Sequence, residues 1–181
     1  MESLWQWIFA TIGLVAFLMA IQPFTQFIWG RPKIDMEFRA RDSDTSRYLD
    51  ILLFNRPMRN QFLRIIKVRR DKAEDVFVTC NITNIQTDEI YVETLIPKIR
   101  TIHEEKEAIS LPASTTPALI TLIGAFDNGK VIIKENNKVL IPGKYSLTVI
   151  AHYAELTVKK QAYFAVGVKP YELCWNAISS S

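Results

Sequence analysis

The chain carries no charged residue from Ser3 through Gly30. Arg31, Lys33, Asp35, Glu37 and Arg39 then arrive at every second position. That boundary divides two media. Leu4 to Ile21, "LWQWIFATIGLVAFLMAI", is apolar apart from Gln6, Thr11 and Gly13, and lacks the polar stripe of a surface helix. Crossing the hydrocarbon core of a bilayer takes about 20 helical residues. Trp5 and Trp7 stand near one end of the segment and Trp29 near the other. Trp7 and Trp29 would lie about 33 Å apart along a helix, which sets indoles at both water interfaces. Pro23 is expected to kink the last turns or to end the regular helix. The N-terminal flank, Met1-Glu2-Ser3, has no Lys or Arg, and "AIQPF" is a poor cleavage context. Residues 1–30 therefore read as a retained transmembrane anchor in preference to a signal peptide or a buried core helix.

Orientation follows from Lys and Arg near the two ends of such a span. The N-terminal side has none, whereas Arg31, Lys33, Arg39 and Arg41 follow the other end. That bias places residues 31–181 in the cytosol, the alternative being an outward-facing body. The cysteines agree: Cys80 and Cys174 show no disulfide framework and read as free thiols. Asn81-Ile82-Thr83 matches a glycosylation acceptor, but it falls inside a strand pattern. Within the apolar segment, Ala10, Gly13, Ala16 and Ala20 form a small-residue stripe that permits close helix packing in lipid, and hence a homo-oligomer.

The body reads by period two. Ile34, Met36, Phe38 and Ala40 share one face of "KIDMEFRAR" and charges fill the other, the pattern of a half-buried strand. "RYLDILLFN" is a second, more apolar strand. "FLRIIKVRR" is ambiguous between helix and strand, and its β-branched content favours strand. "VFVTCNITN" alternates again. "IYVETLIPKIRTI" is a strand interrupted or edged at Pro97, "HEEKE" a polar turn and "AISLPASTTPA" a loop or edge. "LITLIGAF" and "KVIIKE" flank Asp127-Asn128-Gly129, a hairpin signal. Tyr145, Leu147, Val149 and Ala151 share a face of one closing strand, and Ala162, Phe164, Val166 and Val168 share a face of the next. "YELCWNAI" is a short terminal element that packs Leu173 and Trp175 on the body.

The motif "PGKYSLTV" followed by "YFAVGV" resembles the last hairpin of immunoglobulin-like bacterial sandwich domains. "FLRIIKVRRDKAEDVFVTCNI" resembles the paired strands of membrane-anchored domains of that type. The resemblance implies a fold and no activity. The expected fold class is thus all-β, an antiparallel immunoglobulin-like β-sandwich or small barrel, preceded by one N-terminal transmembrane helix.

Catalytic chemistry finds no foothold. His103 adjoins Glu104, Glu105 and Glu107 on a polar turn, without partners at ligand spacing. His152 lies on a strand face opposite the apolar one. Cys80 has no basic neighbour, and the glycines are scattered. Neither an enzyme nor a cofactor is expected. All 22 Lys and Arg lie after residue 30 with 18 of the 19 acids, a net of +4. That is far short of a nucleic-acid-binding balance. The one conspicuous constellation is Arg56, Arg59, Arg64, Lys67, Arg69, Arg70 and Lys72 against a single Asp71. Such a run is either a solvated strand face or a contact for anionic lipid headgroups or another anionic ligand. Each basic residue near a membrane surface contributes about 1 kcal/mol. The expected function is a membrane-anchored, non-catalytic β-sandwich that binds or scaffolds a protein partner beside lipid. The alternatives are a sensor-effector whose β-domain binds an anion while its helix oligomerises, and an outward-facing adhesion or assembly domain.

Overall fold

The charge-free segment forms one helix, α1 (Glu2–Trp29), in the computed structural model, which describes residues 2–65, 67–126, 128–167 and 172–176. Its stretch from Trp5 to Trp29 is long and apolar enough to cross a membrane, with a mean hydropathy of 1.9. Little of that stretch is covered: Trp5, Trp7, Phe9, Leu14, Phe17 and Met19 are all exposed. In water such a surface would be strongly unfavourable. The helix does not end at Pro23. It runs on for six residues, with Thr25 Oγ1 donating to the Gln22 carbonyl at 2.9 Å.

The body consists of two antiparallel sheets. The first is built on β1 (Ile34–Ser43), β2 (Ser46–Asn55) and β8 (Ala118–Phe126), extended by β5 (Ile99–Arg100) and β6 (Glu105–Lys106). β9 (Val131–Ile133) also pairs with β8, and β10 (Val139–Leu140) with β9. The second sheet runs β13 (Cys174–Asn176), β12 (Leu156–Val166), β11 (Gly143–Tyr153), β3 (Ala73–Asn84), β4 (Glu89–Leu95). β7 (Ala108–Leu111) pairs with the first half of β3 and β4 with its second half. Pro97 marks more than an interruption. β4 belongs to one sheet and β5 to the other, so the chain changes layers there and returns at β7.

The alternating residues meet between the sheets. Met36, Ile51, Leu53, Val78, Cys80, Ile82, Ile120, Leu147, Val149 and Phe164 are fully buried in one apolar cluster. Tyr145 stacks on Phe164 at 5.2 Å and donates its hydroxyl to the Ile141 carbonyl at 2.8 Å, so its one polar atom is satisfied. The closing hairpin is regular from Gly143 opposite Val166 to Tyr153 opposite Leu156. Trp175 packs on Phe38 at 5.0 Å and on Phe164 at 5.9 Å, joining β13 to the edge strand β1. Gly129 has φ 73°, which the β8–β9 turn requires. Both cysteines are free. Burial pushes the Cys80 thiol up to about 12, so it stays protonated and inert. Val168 and Asp127 lie outside the described residues.

Two of the expected elements change. "FLRIIKVRR" is not a strand: it forms a short helix, α2 (Gln61–Ile65), then irregular chain, with Ile66 outside the described residues. Asn60 Oδ1 caps the Leu63 N–H at 3.4 Å. The Val68 N–H closes on the Leu63 carbonyl at 2.9 Å, and Lys67 sits at φ 58°. The resemblance of this stretch to paired strands therefore fails over 62–70. Second, "HEEKE" contributes β6, a two-residue pairing with β5, beyond a turn. His152 keeps to the face opposite the apolar one, where it is half-buried, stacked on Phe77 at 4.5 Å and bonded to Thr79 Oγ1 at 3.1 Å.

Candidate binding surface at the helix exit

The last turn of α1 is fastened to the body. Gln26 Oε1 accepts the Arg69 N–H at 3.0 Å, and Nε2 donates to the Arg69 carbonyl at 2.7 Å and to Asp71 Oδ1 at 2.8 Å. The side-chain amide thus pairs with the backbone of Arg69 as a neighbouring strand would. Arg70 Nη1 donates to the Arg31 carbonyl at 2.6 Å, and the Asp71 N–H donates to the Gly30 carbonyl. Gly30 must be glycine, because a Cβ there would collide with Gln26. The segment after α2 has no strand partner of its own, and the helix end supplies one.

Asn55, fully buried at the end of β2, ties this junction to the core. Its Oδ1 accepts the Lys33 N–H at 3.1 Å, while Nδ2 donates to the carbonyls of Asp71 at 2.8 Å and Leu111 at 3.0 Å. One side chain therefore joins the helix exit, the basic segment and β7. Neither Gln26 nor Asn55 stands out by composition. The available signal for Gln26 was its position, a polar residue three before Trp29 in an apolar helix.

The basic residues of the sequence reading divide into three kinds. Arg56 is neutralised: it bonds Asp35 Oδ2 through Nη2 at 3.1 Å, bonds Glu37, and lies over the Phe54 ring at 3.9 Å. These carboxylates hold its guanidinium above its ordinary value, with Glu37 the larger influence and partial burial opposing. Lys72 pairs with Glu74 at 3.1 Å. Arg70 is half-buried at the junction, its Nε buried without a partner among the described residues. Arg59, Lys67 and Arg69 are exposed, and no described residue forms an ion pair with their side chains. Arg31 and Lys33 join them, Arg31 lying over Phe27 at 5.2 Å. For Arg64 the structure places the backbone in α2.

Comparison with family models, curated proteins and solved structures finds no match to this chain. Its own geometry is what carries a functional reading.

Lys33, Arg56, Arg59 and Arg70 open onto a cavity of about 330 Å³ beside the helix exit, with Asp35 the one acid on its wall. Asp35 also reaches across the sheets: its Oδ1 accepts Lys160 Nζ at 2.9 Å, and Lys160 in turn donates to the Met36 carbonyl at 2.6 Å. Burial raises the Asp35 pKa, but the bonds from Lys160 and Arg56 outweigh it and hold the carboxyl below its ordinary 3.8. A depressed folded value stabilises the fold above 3.8, and the contribution is lost as pH falls through that lower value. Asp35→Asn should therefore cost up to about 1 kcal/mol near neutrality, the pair being partly exposed. The gap to the parent should close below pH 3.8 in denaturation curves recorded across that range.

A second depression of about 510 Å³ lies against the first sheet, where Arg41, Lys98, Arg100 and Lys134 share the wall with Glu105 and Glu135. Arg41 is held there by the buried Asp50 at 2.7 Å. Its charge is more nearly balanced than that of the helix exit. Among the described residues no group of His, Cys, Asp and Glu is placed to hold a metal ion, and Glu104 pairs instead with Lys106 at 2.6 Å.

Proposed function

We propose that the chain is a single-pass membrane protein whose body, an immunoglobulin-like β-sandwich, is a non-catalytic binding module held against anionic headgroups of the cytosolic leaflet. The carrying observation is the Gln26 clamp. It fixes the Arg69–Asp71 segment beside the last turn of an apolar helix, at the depth where headgroups would begin. Arg31, Lys33, Arg59, Lys67 and Arg69 then face the lipid surface with no neutralising acid among the described residues. Arg31, Lys33, Arg39 and Arg41 immediately after the helix support the cytosolic orientation.

The opposite end of the body is where a protein partner fits this reading. Ile85, Ile90, Val139 and Ile141 are exposed there, and the Tyr91 hydroxyl donates to the Val139 carbonyl, bringing the two loops together. Asp88, Glu89, Lys138 and Lys144 surround them, a mixed-sign rim suited to a protein and not to a uniformly anionic surface. The cavity lined by Lys33, Arg56, Arg59 and Arg70 favours a second reading, in which a soluble anion is sensed at the same place and the Ala10, Gly13, Ala16 and Ala20 face assembles helices. Those four small residues are exposed along α1.

The test is membrane extraction combined with side-specific labelling. The full chain should stay with membranes in alkaline carbonate and dissolve only in detergent. A cysteine introduced at Val139 should react with an impermeant maleimide only after cell lysis. Release by carbonate would remove the anchor, and labelling on intact cells would reverse the orientation.

A further inference from the structure

The exposed large apolar residues of the body segregate. Apart from Ile96, they lie at one end or the other of the sheets and not on their outer faces. Ile85, Ile90, Val139 and Ile141 mark the end away from α1. Ile65, Ile102 and Leu156 mark the end from which α1 leaves, as strand register shows. β3 begins two residues after Asp71, which is bonded to the helix exit. His152 lies opposite Phe77 in early β3, so the turn between Tyr153 and Leu156 projects at that same end. Arg100 lies opposite Leu119, next to Ala118 and the end of β2, so the Thr101–Glu104 turn that follows projects there too. Ile65 closes α2, inside the basic segment.

We infer that these three tips, from three separate loops, are a second membrane contact: they enter the headgroup–acyl boundary while the helix spans the bilayer. The inference rests on the anchored reading above. Ile102 is 80% exposed and Ile65 77%, so both side chains are free to meet a surface at this end. Ile65 lies among the exposed cations Arg59, Lys67 and Arg69, and an apolar tip beside unpaired basic residues is the combination by which peripheral surfaces bind anionic bilayers. The distal end has similar apolar residues away from the helix exit and, among the described residues, no comparable run of exposed cations beside them, and so fits a protein instead. A cleft of about 280 Å³ beside Ile102, walled by Leu111, Pro112, Pro117 and Ala118, opens at the membrane-facing end and offers apolar wall to an acyl segment. Of the acids at this end, Glu104 is paired with Lys106, while Asp75, Glu105, Glu107 and Glu155 are exposed, so only the apolar tips enter the boundary and these carboxylates stay in the headgroup layer.

The experiment uses the full chain with Cys174→Ser, in vesicles of phosphatidylcholine and phosphatidylserine. An environment-sensitive fluorophore is attached in turn through Ile102→Cys, Leu156→Cys, Val139→Cys and Phe17→Cys. Doxyl-labelled phosphatidylcholine is the quencher. A group lying about 5–10 Å into the boundary should be quenched at least about threefold more than one in water. Positions 102 and 156 should show that excess over position 139, together with a blue-shifted emission. If they match position 139 while position 17 is quenched, the loop contact is overturned and the anchor stands. If position 17 is not quenched, the anchored reading falls and this inference falls with it.

Discussion

Replacing Asn55 by Ala should lower the stability of the body by about 2–4 kcal/mol, the cost of leaving one buried and two part-buried backbone groups without their bond. The side chain is fully buried and meets three partners, the Lys33 N–H and the carbonyls of Asp71 and Leu111. Truncation leaves each of them without that bond. Asn55→Leu should be at least as harmful, because it fills the space and still satisfies none of them. Urea denaturation of the full chain in detergent, followed by Trp fluorescence, measures the difference. A loss below about 0.5 kcal/mol, within the range of ordinary surface changes, would show that the junction is not held through Asn55. The variant should also loosen the basic segment selectively. Amide exchange over 67–72 should accelerate more than exchange over β11, whose hydrogen bonds lie within the second sheet.

That selectivity matters for function because the junction is the only place where helix and body are seen to be joined by side chains, among the described residues. Gln26 contacts Arg69 and Asp71, and Asn55 contacts Asp71 from the other side. Asp71 is therefore shared by the apolar helix and the buried core. In the proposed anchored arrangement, a movement of the last turn of α1 would reach the sheets through this residue and through Lys33, which immediately precedes β1.

Much of the two-sheet body is legible in the sequence where a single face is buried. Ile34-Met36, the Val76 to Ile82 series, and Tyr145 through Ala151 alternate because strand geometry turns every second side chain inward, and all of these are buried. Trp175 and Leu173 could be placed on the body because large apolar side chains in a short terminal element seek cover, and Leu173 is fully buried. The stretch 62–70 was misread for an equally physical reason. Ile65 and Val68 look like strand residues, but Ile65 is 77% exposed and Val68 is buried by a local turn, so no sheet selected either. Period-two reasoning presumes a sheet to lie on, and here the partner of the backbone is a glutamine side chain from residue 26. The change of sheets at Pro97 was equally invisible, since proline reports a break in pairing and not which layer the chain joins next. Of the basic run, the sequence showed the residues but not their neutralisation. Asp35 and Glu37, about twenty positions earlier, meet Arg56 only because β1 and β2 pair with Ile34 opposite Asn55.

The charge assignment leads to the second large effect. Arg59→Gln, Lys67→Gln and Arg69→Gln together remove three exposed cations that no described acid neutralises, and so leave the internal ion pairs of Arg56, Lys72 and Lys160 intact. At about 1 kcal/mol each near an anionic surface, the three amount to about 3 kcal/mol, or about a hundredfold in the ratio of docked to undocked body. In nanodiscs containing phosphatidylserine, the amides of 59–70 in the parent should exchange more slowly than in phosphatidylcholine alone. The triple variant should lose that difference. Raising salt to about 1 M, where the Debye length falls to about 3 Å, should reproduce the loss in the parent without any substitution. Denaturation midpoints should barely move, because these side chains make no bonds to described residues. Equal exchange in the two lipids for the parent would remove the headgroup contact. An unchanged lipid difference in the triple variant would shift it to Arg31 and Lys33, whose backbone beside the helix end is held by the Arg70 and Asn55 bonds and not by their own charge.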